Sequence, residues 1–173
     1  MPNDVPALND LPVRRTARLL VFDPAGRLLM IRYRVARILP PLSKADPTIL
    51  YTPGGGLEPG ETSAAAAARE LDEECGIRGA AISPVVARRE ARNLFFIRPS
   101  FSIEAYHVVR APDARLDTSR LAETDIDPVV EVRWWPLDEL AATAIHVIPA
   151  GLAGLAARCL SGDIPAQPVM LQG

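Results

Sequence analysis

Apolar residues recur along this chain in short blocks broken by turn residues. "ARLLVF" (17–22) and "RLLMIRYR" (27–34) flank "DPAG". Asp23-Pro24 can open a turn and Gly26 supplies a permissive backbone, so the pair predicts a β-hairpin. "VARILPPLSKADPT" (35–48) has three prolines and little periodicity, and reads as a loop. "ILYT" (49–52) is a short strand running into Pro53 and a glycine run. A helix is expected from Ser63 to Cys75. Its alanines, Ala64 to Ala68, are the best helix formers, Thr62 or Ser63 can cap its start, and Gly76 can close its end with Ile77 packing back. The second half is mostly strand: "SPVVARREA" (83–91), "NLFFI" (93–97) and "FSIEAYHVV" (101–109) are rich in β-branched and aromatic residues. "PDARLDTSRLAETDIDP" (112–128) is a polar, acidic loop. "VVEVRWWPL" (129–137) is a strand leading through Pro136 into a short helix, "LDELAAT". "AGLAGLAARCLSG" (150–162) reads as a last helix, and "DIPAQPVMLQG" (163–173) as irregular. Strands alternating with two or three helices predict an α/β fold, an α/β/α sandwich around a mixed β-sheet. The expected organisation is an N-terminal arm (1–13), one domain (14–163) and a C-terminal tail (164–173).

Composition narrows the class. The chain has 173 residues, 49% hydrophobic and 23% charged, enough for one domain with a full core. A net charge of −2 and the lack of a basic stripe argue against nucleic acid as partner. The longest apolar runs are far short of the ~20 residues that span a bilayer, so no membrane is expected. "MPNDVPALNDLPVRR" has early acids and prolines and no apolar core, unlike a secretory signal. Cys75 and Cys159 belong to no CxxC pair, which points to a reduced, cytoplasmic setting.

The chemistry lies in "GGGLEPGETSAAAAARELDEECGI" (54–77). It begins like a phosphate loop, G-x-x-x-x-G-K-[ST], but Glu61 stands where the lysine should be. Glu70, Glu73 and Glu74 follow at i, i+3 and i+4, on one narrow helical face, where like charges repel by a few tenths of a kcal/mol per pair. A purely structural helix gains nothing from that. Acidic runs are often solvated faces, but three clustered carboxylates also suit a hard divalent cation that bridges to phosphate. The metal inverts the local sign, and the glycines let backbone approach, with the Gly55 carbonyl a further candidate ligand.

Gly55, five residues, Glu61, seven residues, then Arg69-Glu70-Leu71-x-Glu73-Glu74-x-Gly76-Ile77 fits every position of the Nudix box, G-x5-E-x7-R-E-U-x-E-E-x-G-U with U aliphatic. The chain therefore resembles the Nudix hydrolase family, and the order of elements resembles it over about residues 14–145. The resemblance implies an α/β/α sandwich. It implies an enzyme that uses Mg²⁺ or Mn²⁺ to hydrolyse a nucleoside diphosphate linked to another moiety. By resemblance Glu70 and Glu74 are metal ligands, with the Gly55 carbonyl, and Glu73 is a ligand or the base that activates water. Arg69 is expected to hold a carboxylate in place, Glu61 among the candidates. The base sometimes lies outside the box in this family; here Glu123, Asp125, Asp127 and Glu131 are the options, each also readable as an ordinary solvated acid.

What the box does not state is the substrate. Arg32, Arg34, Arg37 and Lys44 precede it and are weak candidates for phosphate contacts, equally readable as surface charge. Trp134 or Trp135 could stack on a base, although one of two strand neighbours should face the core. Tyr51, Phe95 and Phe96 share that ambiguity, and His107 and His146 read as structural. The ADP-ribose type of proline and the dinucleoside-polyphosphate type of tyrosine are absent at Leu94 and Phe95, as is the SQPWPxPxS pattern. Two other readings stand beside hydrolysis. One is a nucleotide-sensing or regulatory module, which tends to lose box carboxylates. The other is isoprenoid diphosphate isomerisation, which needs a catalytic cysteine for which Cys159 is poorly placed. Many relatives are dimers, so the arms at either end are candidates for a homodimer interface.

Overall fold

The computed structural model describes residues 6–121 and 126–173; Glu123 and Asp125 lie outside the described residues. Among these, nine strands form one sheet: β1 (Val13–Phe22), β2 (Leu28–Arg34), β3 (Thr48–Tyr51), β4 (Gly54–Gly56), β5 (Ala87–Asn93), β6 (Ser100–Arg110), β7 (Val129–Trp135), β8 (His146–Ile148) and β9 (Val169–Leu171). The order is β8-β3-β2-β1-β6-β5-β9, with β4 added to β1 and β7 to β2. The β1–β6, β3–β8 and β5–β9 pairs are parallel and the others antiparallel, so the sheet is mixed. The expected hairpin joins β1 to β2. Asp23 holds its turn by accepting from the Arg27 N–H at 2.8 Å, and Gly26 takes φ 77°.

Alternation along β1 assigns the two faces of the sheet. Ala17, Leu19 and Val21 point to one side, where they pack on Ala66, Ala67 and Leu71 of α1 (Ser63–Cys75). Leu20 and Phe22 point to the other, toward Leu140 of α2 (Leu137–Ala142) and Leu152, Leu155 and Ala156 of α3 (Leu152–Leu160). Helices on both faces make the α/β/α sandwich. The small side chains of Ala66 and Ala67, both fully buried, let α1 lie close on the strands. Burying Leu71 contributes about 1.5–3 kcal/mol. A third cluster joins Ile31, Tyr33, Ile49, Tyr51 and Ile148 to Phe95 and Phe96.

Several expectations are corrected. "NLFFI" is not a strand of its own: Asn93 ends β5, and the next strand begins only at Ser100. Phe95 and Phe96 both turn into the third cluster, which strand alternation forbids, and the Phe95 carbonyl accepts from the Ala36 and Arg37 N–H groups instead of a ladder. The tail is not wholly irregular: β9 pairs with β5, and Val169 and Leu171 pack on the core. β8 was not foreseen, and neither was β4, in which the glycines themselves form a strand against β1. β1 starts at Val13, four residues earlier than "ARLLVF", because the polar stretch "VRRT" continues the ladder with β6. No helix among the described residues is long and apolar enough to cross a membrane.

Candidate active site

The helix that carries the glutamates is fixed at both ends. Thr62 caps it, its hydroxyl accepting from the Ala65 N–H at 3.2 Å. Gly76 ends it in the left-handed conformation (φ 69°), where the Gly76 N–H reaches the Asp72 carbonyl and the Ile77 N–H the Leu71 carbonyl. Only glycine takes that backbone without strain. Leu71 and Cys75 face the core, which turns Glu70, Glu73 and Glu74 toward β4.

Gly54, Gly55, Gly56 and the three glutamates line one cleft of about 600 Å³. Glu74 is buried and accepts from the Gly54 N–H at 2.7 Å. Glu70 lies against Gly55 so closely that a Cβ there would stand 2.3 Å from its Oε1. Arg69 ties the group together. Its Nε and Nη2 grip Glu61 as a fork at 3.0 Å each, its Nη1 reaches Glu70 at 2.8 Å and Glu73 at 3.3 Å, and its Nη2 donates to the Gly56 carbonyl at 2.9 Å. The Arg69 hydrogen bonds hold the Glu61 carboxyl below its ordinary range. Glu70 moves the other way: burial pushes its pKa up, and the neighbouring Glu73 adds to this against Arg69. A half-buried carboxylate beside like charge is a destabilised anion, and perturbed groups of this kind cluster at functional sites.

The donor set suits a hard divalent cation: carboxylate oxygens of Glu70, Glu73 and Glu74 line the cleft together with Gly55. Gly55 itself fits, since any side chain there would displace Glu70. Among the described residues no three acidic, histidine or cysteine side chains surround one point as a finished cage. Arg69 and the Gly54 N–H hold the carboxylate oxygens instead. Mg²⁺ needs no such cage, because it keeps several waters and commonly takes one or two protein carboxylates plus substrate phosphates.

Of the other residues singled out, Asp127 lines the same cleft, buried, with Oδ1 accepting from the Ile97 N–H at 2.7 Å. Tyr51 and Phe96 also line it, their rings stacked at 5.7 Å, with Tyr33 edge-on to Phe96. Arg32, Arg34, Lys44, Trp134 and Glu131 do not line it. Arg32 is turned onto Asp46 and Thr48. Arg34 and Lys44 are exposed elsewhere, and the Trp134 indole N–H donates to the Ala114 carbonyl at 2.9 Å while Trp135 is the buried member of the pair. Arg37 braces the cleft loop from behind through the Phe96 carbonyl. His107 joins Ser83 to Ser63 at the start of α1, and His146 packs on Phe95. Neither cysteine lines the cleft; Cys159 is buried in α3.

The sequence reading missed the opposite wall. Arg14, Thr16 and Arg18, alternate residues of β1, line the cleft with Asn93, Ser100 and Ser102. Beneath them lies Glu104, fully buried. It accepts from the Tyr51 hydroxyl, from Asn93 Nδ2 at 3.1 Å and from the Tyr106 hydroxyl at 2.6 Å, and pairs with Arg89 at 3.1 Å. Burial resists ionisation of Glu104, but the Arg18 and Arg89 charges overcome it and hold its pKa below the usual value. The available signal was a charge inside an apolar strand block, Arg18 in "ARLLVF" and Glu104 in "FSIEAYHVV": charged residues are rarely buried unless paired. A second cleft, about 520 Å³ between the 41–48 loop and α2–α3, contains none of the box residues.

The NUDIX domain family model matches residues 12–153. Three solved structures share the fold. The E. coli dihydroneopterin triphosphate pyrophosphohydrolase is 14% identical, covers 87% of this chain and 99% of that one, and gives a TM-score of 0.60. The MutT protein from Methanosarcina mazei Go1 is 17% identical over 89% and 96%, at 0.58. An ADP-ribose pyrophosphatase from Streptococcus suis 89-1591 is 13% identical over 92% and 98%, at 0.55. Comparison with the curated proteins gave no match.

Proposed function

The chain belongs to the Nudix family of hydrolases, and on that premise we propose that it is a divalent-metal-dependent pyrophosphohydrolase acting on a nucleoside diphosphate linked to another moiety. One observation carries the reading. All the box carboxylates are present, and Glu70, Glu73 and Glu74 face the glycine strand across a single cleft of substrate size. Sensing modules of this fold tend to lose box carboxylates, and this chain has lost none. The names of two structural relatives, a pyrophosphatase and a pyrophosphohydrolase, point the same way, although at 13% and 14% identity they support the fold and not a particular substrate.

Glu70, Glu74, Glu73 and the Gly55 carbonyl would hold Mg²⁺ or Mn²⁺. When bound, the cation neutralises phosphate oxygens and lowers the pKa of water. The remaining work belongs to the chain. Arg69 keeps Glu70 and Glu73 oriented through its shared guanidinium edge and fixes Glu61 and the Gly56 carbonyl with the other. Glu73 takes the proton from the attacking water. Its side chain is 36% exposed, against 13% for Glu70, so it has the freedom to accept and release that proton. Asp127, on the same cleft, is the reserve candidate for that role. The partner is a small nucleotide-type molecule, and the setting proposed is cytoplasmic. Replacing Glu73 with Gln should lower kcat by about 10²–10⁴ while the melting temperature stays within a few degrees of the parent. Full activity in that variant on the true substrate would remove Glu73 from the mechanism.

A further inference from the structure

Among the described residues, the wall opposite the glutamates contains two buried polar atoms with no hydrogen-bond partner, Thr16 Oγ1 and Arg18 Nε. Thr16 is 4% exposed and Arg18 8%, and both side chains line the cleft. They are alternate residues of β1, so they point from the same face of the sheet. A buried donor left unmade costs about 1–3 kcal/mol, and here both stand on one face of β1.

Several contacts hold Arg18 in place. Arg18 Nη1 donates to the carbonyls of Thr52 at 3.3 Å and Gly54 at 3.0 Å, and its guanidinium lies 3.9 Å over the Tyr51 ring. Burial disfavours its charge, but the Glu104 carboxylate more than restores it. Glu104 in turn fixes the Tyr51 hydroxyl and Asn93. Arg18 is thus an oriented donor on a braced frame, next to the aromatic rings of Tyr33, Tyr51 and Phe96.

We propose that Thr16 and Arg18 form a second subsite, which reads an oxygen acceptor on the planar base of the substrate and selects oxo bases over amino bases. This deepens the nucleotide reading above and rests on it. Arginine has donors and no acceptor, and a threonine hydroxyl adapts to either role. A ring carbonyl oxygen is an acceptor that suits either atom. An amino group in the same place presents another donor to Arg18 and leaves its Nε unpaired. The aromatic surroundings favour an acceptor carried on a flat ring over one on a sugar.

The test is calorimetric titration of the full chain with two pairs of monophosphates that exchange one oxo group for one amino group, IMP against AMP and UMP against CMP. Ribose 5-phosphate serves as the base-free control. The expected result is about tenfold or stronger preference for the oxo member in at least one pair, with ribose 5-phosphate weaker than both. The pair that responds tells purine from pyrimidine. Thr16→Val keeps the shape and removes a hydroxyl that bonds to nothing, so its melting temperature should equal or exceed the parent's. It should nevertheless lose at least half of the oxo preference on a logarithmic scale. Equal binding of oxo and amino members, ribose 5-phosphate binding as tightly as IMP and UMP, no binding of any member at millimolar concentration, or an unchanged preference in Thr16→Val overturns the subsite. Because binding and not turnover is read, these outcomes are separate from a failure of the hydrolase reading.

Discussion

Replacing Gly55 with alanine separates the catalytic demand for that glycine from any demand of the fold. Gly55 does not have a positive φ, unlike its neighbour Gly54 at 134°, so the backbone accepts alanine. In ordinary circumstances the change would stabilise by about 0.4–1 kcal/mol, through the unfolded chain. The new Cβ, however, would sit 2.3 Å from Oε1, 2.6 Å from Cδ and 2.8 Å from Oε2 of Glu70. Restoring ordinary contact means moving that carboxylate by about 1 Å. The side chain is long enough to swing aside, so the cost falls on its position and on its 2.8 Å bond to Arg69. A misplacement of about 1 Å can cost on the order of 10²-fold in rate. Gly55→Ala should therefore melt within about 3 °C of the parent while kcat/KM falls on the order of 10²-fold and Mg²⁺ activation shifts to higher concentration. Gly54→Ala is the contrasting control: its Cβ would stand 2.1 Å from the Ala17 backbone oxygen, which cannot swing, so it should be grossly destabilised. A Gly55→Ala enzyme with parental kcat/KM and parental Mg²⁺ dependence would refute the placement of Glu70 in the site.

Three further outcomes are expected. Glu104→Gln leaves Arg18 and Arg89 without their buried counter-charge and should cost about 3–5 kcal/mol, read by urea unfolding at neutral pH. The folded pKa of Glu104 is depressed, so its contribution is complete above the ordinary carboxylate value of 4.5 and drains away as pH falls below it toward the folded value; the gap between parent and variant should narrow in acid, and a constant gap would contradict the assignment. Arg32→Ala should leave kcat/KM within twofold, because its guanidinium is spent on Asp46 outside the cleft; a larger loss in steady-state kinetics would return Arg32 to the substrate site. Trp134→Phe should likewise keep activity, and lose at most about 0.5–1.5 kcal/mol from its one hydrogen bond to Ala114, measured by thermal melts.

The legible parts of this protein are those in which local pattern and tertiary demand coincide. The α1 helix could be read from its alanines, its threonine cap and Gly76, and the β1–β2 hairpin from Asp23-Pro24 and Gly26. The glutamate face followed from helical spacing. The misread parts depend on partners distant in sequence. "NLFFI" has strand composition, but Phe95 and Phe96 are needed together in the cluster with Tyr33 and Tyr51, so the chain loops there. β9 is only three residues long and acquires its identity from β5, some eighty residues earlier. The polar wall was hidden for the same reason. Thr16, Arg18 and Glu104 come from two strands that pair in parallel, Thr16 opposite Glu104, and nothing local announces that a buried arginine in one apolar block has its counter-charge in another. Charges that interrupt an apolar alternation are the trace such a wall leaves in sequence.

The acidic helix and the glycine strand are expected to make a metal-dependent pyrophosphohydrolase. The most direct test is product analysis by anion-exchange chromatography over a panel of nucleoside triphosphates, nucleotide sugars, ADP-ribose, dinucleoside polyphosphates and CoA. Each reaction is run with Mg²⁺, with Mn²⁺ and with excess chelator. At least one compound should be cut within its phosphoanhydride, the chelator should abolish the cut, and Glu73→Gln should slow it by orders of magnitude. Cleavage that persists at full rate in chelator, or a panel left intact while nucleotides bind tightly, would contradict that expectation.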